Sequence, residues 1–448
     1  MPKIIIANND NPTMYADRGV FVPDFVSQIG RISARALWFA EAGDILVLPQ
    51  MLSRSLLDYV ARLQERSPDS VTVIGFDIPD AEVRGLSRDV LLHPELIAAT
   101  KAAMGERKDW SLLFYNATHD SKEVADALGL GDCEAVRPFI AEGGAEILND
   151  KRMFRNLAAG RDIPLAPGIT ANGRADLERA VAKYLPITEA VIIKQDRHQG
   201  GLGNLIVSRR ADGPKLGATD AFVLDRDGSL TAICDAVWQR LGVHDQSMLV
   251  VESYCTPAIV LTSEFRCTPS KSKVEFLNWG QLRQAPTFDG LVMPPMAPSY
   301  LGAKFVSGAT EIARLCADLG YDGLINIDGL ATLDGKIIFN EFNGRLGACS
   351  HMHRIAEIVA GPDYGDRLVM MSCTMDRGCI DRALELLDAN GMGFRKDLDG
   401  GIVIGFGWPA EHCSQLEIIT LAPDADRALQ IEQRFIALLT QSMNVAAA

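Results

Sequence analysis

The sequence predicts a multidomain protein of mixed α/β and α+β class. At 448 residues the chain is long for one hydrophobic core. Short apolar runs alternate with helical patterns in its first third, which is typical of an α/β layer with parallel strands. An Asp-Gly pair between two later apolar runs indicates an antiparallel hairpin. We therefore expect an α/β layer at residues 1–134, a central domain at 135–375 and a small C-terminal α+β domain at 376–448.

Composition and charge exclude several functional classes. The chain is 48% hydrophobic and 23% charged, as in ordinary globular proteins, and its formal net charge is −14. That charge argues against nucleic acid or an anionic membrane as the main partner. No signal peptide or transmembrane run is recognisable, so we expect a cytoplasmic protein. The nine cysteines never form a C-x₂-C pattern, and the usual hydrolase, P-loop and dinucleotide motifs are missing from the sequence.

The first segment predicts alternating strands and helices. Lys3 to Asn9 is an apolar run that ends in small polar residues, as buried parallel strands do. A helix is expected from about Val22 to Glu41. Further strands are predicted at 44–48, 71–76 and 110–116, with a helix at 56–65. No phosphate-binding fingerprint accompanies this layer.

A lysine at a helix start is the first candidate binding residue. A helix is predicted from Lys151 to about Ala159, with Asn149 or Asp150 able to cap it. Lys151 in the first turn opposes the helix dipole, so a bound anion would explain it. An exposed surface lysine explains this stretch equally well.

A second lysine precedes a glycine-rich loop. The strand predicted at 190–195 carries Lys194 near its end, and a returning strand is expected at 205–208. The loop between them contains Gly200, Gly201 and Gly203. Its backbone N–H groups could close over phosphates with Lys194 beneath them, although a plain hairpin turn would explain the loop about as well.

Two later strands carry charged candidates. The strand predicted at 248–254 ends with Glu252 and Tyr254, and such a strand end can hydrogen-bond an adenine or a ribose hydroxyl. The run from 261 to 267 places Glu264 and Arg266 on one face, because side chains alternate along a strand. A helix is then expected from about 307 to 319.

The predicted hairpin turns at Asp334 and Gly335. In a two-residue turn both central residues take positive φ, and Leu333 pairs with Lys336. Counted back from the turn, this register sets two pairs opposite each other on one face, Asp328 with Glu341 and Asn326 with Asn343. The other face is expected to be filled by Ile325, Ile327, Ile338 and Phe342.

Facing carboxylates in a hairpin predict a cation. Asp328 and Glu341 repel each other unless something positive lies between them. Together with Asn343 they offer only hard oxygen ligands, which favours Mg²⁺ or Mn²⁺ over zinc. Arg345 leaves the same strand toward the same face and could contact a phosphate or acyl phosphate. A solvent-facing acidic hairpin is the alternative.

The order of these features resembles the ATP-grasp superfamily over about residues 135–371. The resemblance is most specific at the Ile-Asp-Gly of residues 327–329 and the Asn-Glu-Phe-Asn of residues 340–343. It implies that ATP phosphates contact Lys151, Lys194 and the glycine loop, that the purine and ribose lie at Glu252 and Tyr254, that two Mg²⁺ ions are held by Asp328, Glu341 and Asn343, and that Arg345 steadies the transferred phosphoryl.

More narrowly, the chain is similar to peptide ligases of the pheganomycin type. The similarity lies in the segment at 44–49 and in the ending at 401–409. It implies a pre-ATP-grasp domain, the grasp domain and a small C-terminal domain. The chain has Gly344 where ATP-grasp enzymes often have a proline after the metal-binding asparagine.

The resemblance implies an ATP-dependent carboxylate-amine ligase. Such an enzyme phosphorylates a carboxylic acid, and an amine or peptide then attacks the acyl phosphate. Arg266 or Arg283 could hold the acid. The C-terminal domain either covers the grasp domain or forms a wall of the acceptor site. A ligase for small amino acids and a non-catalytic nucleotide-binding regulator are the alternatives. A homodimer is compatible with the sequence, which does not determine the oligomeric state.

Overall fold

The computed structural model describes residues 1–9, 30–76, 85–241, 248–269, 273–397, 399–408 and 414–446. Within these residues the strands form three sheets. The α-helices in the same ranges are α1 (Arg54–Leu63), α2 (Arg88–Leu91), α3 (Pro94–Met104), α4 (His119–Leu128), α5 (Pro138–Ala141), α6 (Gly144–Ile147), α7 (Lys151–Ala159), α8 (Arg174–Thr188), α9 (Leu230–Arg240), α10 (Ser299–Asp318), α11 (Ala348–Ala360), α12 (Ile380–Asn390) and α13 (Ala425–Ala446). No helix in these ranges is both long and apolar enough to cross a membrane.

The N-terminal segment folds into the predicted parallel sheet. Its strands are β1 (Lys3–Ile6), β2 (Ile45–Val47), β3 (Thr72–Ile74) and β4 (Ser111–Phe114), in the order β3-β2-β1-β4. Ile4, Ile5 and Ile6 are all buried, as expected for a strand covered on both faces. Of the helix expected at 22–41, residues 22–29 lie outside the described residues, and Ser33–Phe39 is a 3₁₀ helix.

A second sheet carries the glycine-rich loop. Its strands in the described ranges are β5 (Gly168–Asn172), β6 (Ala190–Gln195), β7 (Asn204–Ser208), β8 (Asp220–Val223) and β9 (Met248–Ser253), in the order β5-β9-β6-β7-β8. Helix α7 leads into this part of the chain. Its cap is Asp150, whose carboxylate accepts from the backbone N–H groups of Arg152 and Met153 at 2.8 and 3.0 Å.

The third sheet is the largest and includes the hairpin. Its described strands are β10 (Pro257–Thr268), β11 (Lys273–Gln284), β12 (Phe288–Met293), β13 (Gly323–Thr332), β14 (Ile337–Asn343), β15 (Val369–Gly378), β16 (Gly401–Phe406) and β17 (Ser414–Ala422), in the order β14-β13-β10-β11-β12-β15-β17-β16. The C-terminal strands therefore extend the sheet that contains the hairpin. The boundary expected at 375–376 falls inside β15, and the three-domain division stays a prediction.

The hairpin turn differs from the predicted turn by one residue. Thr332, not Leu333, pairs with Lys336, and its N–H donates to the Lys336 carbonyl at 2.9 Å. The loop thus has three residues, and only Gly335 takes positive φ, at 75°. The predicted pairing of Leu333 with Lys336 and the two-residue turn are wrong.

A β-bulge restores the predicted register at the functional end of the hairpin. Asn340 is an extra residue on β14, between the Asp328–Glu341 and Gly329–Phe339 pairs. It offsets the shift at the turn, so Asp328 does face Glu341. Asn326 likewise faces Asn343, as predicted.

The same bulge changes the apolar face of the hairpin. Ile325, Ile327 and Phe342 are buried in the core between the sheet and α10, as expected. Ile338 does not join that core. Phe339 takes its place and stacks on Phe305 of α10, with ring centroids 5.5 Å apart. The extra residue shifted the alternation of side chains by one, which the sequence pattern did not reveal.

Candidate active site

A cavity of about 480 Å³ lies between the second and third sheets. Residues of the N-terminal segment also line it, so all three parts of the chain contribute. One apolar patch of its wall comprises Ile192, Leu216 and Tyr254, and the Tyr254 hydroxyl donates to the Leu216 carbonyl at 3.1 Å. Burial raises the pKa of Tyr254 to about 12, so this phenol stays protonated. A planar apolar group would fit against this patch.

The hairpin residues predicted as ligands meet in this cavity. The Asn343 amide donates to Asp328 Oδ2 at 3.1 Å, and Arg345 donates to Asn343 Oδ1 at 3.0 Å. Lys151, from the start of α7, lies 2.9 Å from Glu341 Oε2 and also donates to the His198 carbonyl at 2.5 Å. The first-turn lysine is therefore buried in the site and is not an exposed surface residue.

The two facing carboxylates are electrostatically unequal. Burial, and then the charge of Glu341, raises the pKa of Asp328 to about 7. Burial also opposes ionisation of Glu341, but the adjacent Lys151 ammonium, together with Lys194 and Arg345, outweighs it and lowers the pKa of Glu341. Both carboxylates are half-buried, and Lys151 contacts only Glu341. The two facing carboxylates and the all-oxygen donor set fit a hard divalent cation.

Glu252 is held between two cations. Lys194 lies 2.7 Å from one carboxylate oxygen, and Arg155 donates to the other at 2.7 Å. The two predicted binding residues Lys194 and Glu252 therefore touch each other, and both line the cavity. The sequence reasoning missed Arg155. It lies four residues after Lys151 on α7, and that helical spacing was the available signal.

The glycine-rich loop closes one side of the cavity. Gly200 and Gly201 have positive φ, at 63° and 80°, which favours glycine. The Gly200 carbonyl accepts from the Phe288 N–H at 3.2 Å, which fastens the loop to the first residue of β12. A Cβ on Gly203 would lie only 2.6 Å from the Cβ of His198. The loop between β6 and β7 of the second sheet is thus tightly packed and also contacts the third sheet.

The arginines predicted to hold the acid lie elsewhere. Arg266 is exposed near the end of β10 and does not line the cavity. Arg283 donates twice to Glu432 of α13, at 2.6 and 2.8 Å, and is also absent from the cavity wall. The alternation of side chains predicted that Arg266 shares a strand face with Glu264. It could not predict how far the cavity extends along that strand. The structure therefore does not bring either arginine to the site.

Arg35 lines the cavity although sequence reasoning did not single it out. It donates twice to Glu417 of β17, at 3.1 and 2.6 Å, and His351 Nε2 lies 2.9 Å from the same carboxylate. All three side chains are buried. Arg35 and Glu417 are 382 positions apart in the sequence, so no local pattern could connect them. Within the described ranges, no group of three or more His, Cys, Asp or Glu side chains is placed to hold a metal.

Comparisons with known proteins identify the fold. Residues 33–130 match the family model described as the Pre ATP-grasp domain. The comparison with curated proteins finds no relative by sequence.

Solved structures extend the similarity to nearly the whole chain. The ADP complex of an N5-carboxyaminoimidazole ribonucleotide synthetase has 11% identity and a TM-score of 0.57, covering 97% of this chain and 96% of its own. A biotin carboxylase–ATP complex from Campylobacter jejuni has 13% identity and a TM-score of 0.54, covering 96% and 89%. A third structure is the biotin carboxylase domain dimer of a Hydrogenobacter thermophilus 2-oxoglutarate carboxylase with MgADP, ADP and bicarbonate. It has 12% identity and a TM-score of 0.53, and the match covers 94% of this chain and 86% of that one.

At these identities the likeness concerns the fold. It supports the ATP-grasp resemblance but does not distinguish the pheganomycin type within it. The chain is therefore a mixed α/β protein with a pre-ATP-grasp domain followed by an ATP-grasp fold.

Proposed function

We propose that the chain is an ATP-dependent ligase that joins a carboxylic acid to an amine. The acid is phosphorylated to an acyl phosphate, the amine attacks the acyl carbon, and ADP and phosphate leave. The observation that carries this proposal is the Lys151–Glu341 contact opposite Asp328, within a cavity between two sheets. It combines a buried cation for phosphate with an oxygen-ligand pair for a metal.

The residues fit ATP and Mg²⁺, with Mn²⁺ as a second metal that the same ligands accept. Asp328, Glu341 and Asn343 would hold the metal, which neutralises phosphate charge when bound. Lys151 and Lys194 are buried ammonium groups that can bind phosphate oxygens. The three solved neighbours named above are described with ADP, with beta-gamma-ATP and with MgADP.

The chemistry needs no covalent nucleophile from the protein. Phosphoryl transfer depends mainly on positioning and on charge stabilisation, which the lysines and Arg345 supply. The loop at Gly200 and Gly201, fastened to Phe288, keeps water away from that side of the cavity. An acyl phosphate formed there would be protected until the amine arrives.

The finer assignment is a peptide ligase of the pheganomycin type, acting on a small carboxylic acid and an amine or peptide acceptor. A ligase for small amino acids is the runner-up. A non-catalytic nucleotide-binding regulator is disfavoured because Asp328, Glu341, Asn343, Lys151 and Lys194 are all present and line one cavity. Cytoplasmic location and a homodimer stay predictions, although one solved neighbour is a domain dimer.

The test is an ADP-release screen of carboxylic acids, bicarbonate included, with hydroxylamine as the trap. An accepted acid yields ADP and a hydroxamate. Asp328→Asn should abolish both products. Asp334→Asn is the matched control, because Asp334 lies on the exposed turn of the same hairpin. ATP binding without ADP release for any acid, or full activity in Asp328→Asn, would contradict the ligase proposal.

A further inference from the structure

Asp289 is placed in the cavity by a second β-bulge. Strands β11 and β12 pair Arg283 with Gly290 and Gln284 with Phe288, which leaves Asp289 as the extra residue. Bulges occur often beside active sites, where they redirect a side chain. Gly290 has φ of 151°, and a Cβ there would collide with the Ser372 carbonyl of β15. The backbone is thus built for this arrangement, and Asp289 lines the cavity.

Asp289 differs from the other carboxylates on the cavity wall. Glu252 and Glu341 are paired with cations, and Asp328 accepts from Asn343. Among the described residues, Asp289 has neither a hydrogen-bond nor an ion-pair partner. Arg283 is nearby, but its guanidinium is bound to Glu432 and lies off the cavity wall.

The adjoining wall, formed by β15 and β17, also offers hydrogen-bond acceptors. Thr374 pairs with Glu417 in the β15–β17 register, and Gln415 lies two residues before Glu417 on the same face. Both Thr374 and Gln415 line the cavity. Gln415 Oε1 is buried, and no described residue donates to it. Arg35, the cation of this wall, is neutralised by Glu417.

We propose that Asp289, Thr374 and Gln415 form a subsite for the ammonium group of an amine acceptor, which releases one proton to solvent before the free amine attacks the acyl carbon and phosphate leaves. This inference rests on the proposed ligase function and names the part of the cavity that the amine uses. A buried acceptor oxygen and an unpaired carboxylate favour a ligand that is cationic and rich in N–H donors. A carboxylate ligand would be repelled by Asp289. The amine would then bind beside the C-terminal strands β15 and β17 of the third sheet.

The first test measures binding to the full chain without turnover. The probes are glycinamide, which carries an ammonium group near neutral pH, and acetamide, its uncharged analogue. Saturation-transfer NMR should detect glycinamide with the wild type and should detect acetamide more weakly. Asp289→Asn should weaken glycinamide binding by about tenfold, the value of one hydrogen bond to a charged group.

Glu275→Gln is the matched control, because Glu275 lies exposed on β11 of the same sheet. It should leave glycinamide binding unchanged. Gln415→Leu should weaken binding on its own, which checks the subsite through a second residue. Equal glycinamide binding in wild type and Asp289→Asn, or no glycinamide binding in the wild type, would overturn the subsite whether or not the chain is a ligase.

The second test uses the acid identified by the hydroxamate screen. With glycinamide as acceptor, Asp289→Asn should raise the KM for the amine about tenfold and change kcat less. Hydroxamate formation should persist, because hydroxylamine is uncharged near neutral pH. If Asp289→Asn lost the glycinamide product and the hydroxamate equally, Asp289 would instead contact the acid or the nucleotide. Absence of any ADP release would refute the ligase proposal, while the binding test still decides on the subsite.

Discussion

Two charge clusters each contribute to the wall of the same cavity and are balanced differently, and only Arg35 of the second cluster lines that cavity. The hairpin cluster, Asp328, Glu341 and Lys151, has two carboxylates for one ammonium group. The Arg35 cluster, Arg35, Glu417 and His351, has one carboxylate between a guanidinium and an imidazole. Burial raises the pKa of Glu417, but Arg35 and His351 more than offset it and bring that pKa to about 2. In the hairpin cluster the pKa of Asp328 instead rises to about 7.

The difference shows that burial of charge does not by itself mark a binding site. The Arg35 cluster satisfies its charges internally and joins the N-terminal 3₁₀ helix, β17 and α11. Nearby, the Trp38 indole donates to the Gly405 carbonyl at 2.7 Å, and Arg35 lies over Phe406 at 5.2 Å. Such a cluster joins distant segments, and removing one partner would leave an uncompensated buried charge. In the hairpin cluster the pKa of Asp328 is raised to about 7, an arrangement that a bound cation would relieve, so we propose that this cluster is functional.

The largest expected effect is a loss of ADP formation when the hairpin cluster is changed. Glu341→Ala should reduce ADP formation by about a hundredfold or more, because it removes one metal ligand and the partner of Lys151. Stability should change by less than about 1 kcal/mol, since the substitution also relieves repulsion with Asp328. Coupled ADP assays and urea unfolding measure the two quantities. Near-normal ADP formation would refute the metal assignment.

Glu417→Gln should affect mainly the stability of the fold, whereas Glu341→Ala should affect mainly ADP formation. It leaves the Arg35 guanidinium buried beside a neutral amide, so the free energy of unfolding should fall by about 3 kcal/mol. Urea unfolding measures this loss, with Glu275→Gln as the surface control. If Glu417→Gln is as stable as the wild type, the Arg35 cluster does not stabilise the fold, and the contrast between the clusters fails.

Lys194→Ala should weaken ATP binding and slow turnover without destabilising the fold. Glu252 keeps its contact with Arg155, so folding should be little affected. The KM for ATP should rise, and kcat fall, by about tenfold each, the value of one charge-assisted hydrogen bond. Steady-state kinetics with varied ATP measure both. Unchanged affinity and rate would mean that the loop does not close over the phosphates.

The smallest effect is a pH dependence. Folding lowers the pKa of Glu417 to about 2, from about 4.3 in an unfolded chain, so its stabilisation is present above the unfolded pKa and is lost as pH falls toward 2. The stability gap between wild type and Glu417→Gln should therefore narrow by less than about 1 kcal/mol at pH 4, and by more at lower pH. Urea unfolding at pH 7, 5 and 4 measures it. A gap that widens in acid would contradict the ion-paired state of Glu417.

Local patterns in the sequence predicted much of the hairpin and of the nucleotide residues. The Asp-Gly turn signal located the hairpin, and the alternation of side chains placed Asp328 opposite Glu341. That register holds because two shifts cancel, one at the three-residue turn and one at Asn340. Whether Lys151 was a binding or a surface residue stayed undecided, because burial depends on segments that are distant in sequence.

Hydrophobic periodicity, capping residues and turn residues act over a few positions, and they predicted the parallel strands of the first segment, the helix at Lys151 and the hairpin. The residue types of the hairpin also predicted the chemistry that it can offer. Arg266 and Arg283 lie off the cavity, and Arg35, Asp289 and Gln415 line it, for reasons that no local pattern contains. Their placement follows from bulges and from strand pairs between distant parts of the chain, and such long-range packing leaves no periodic trace in the sequence.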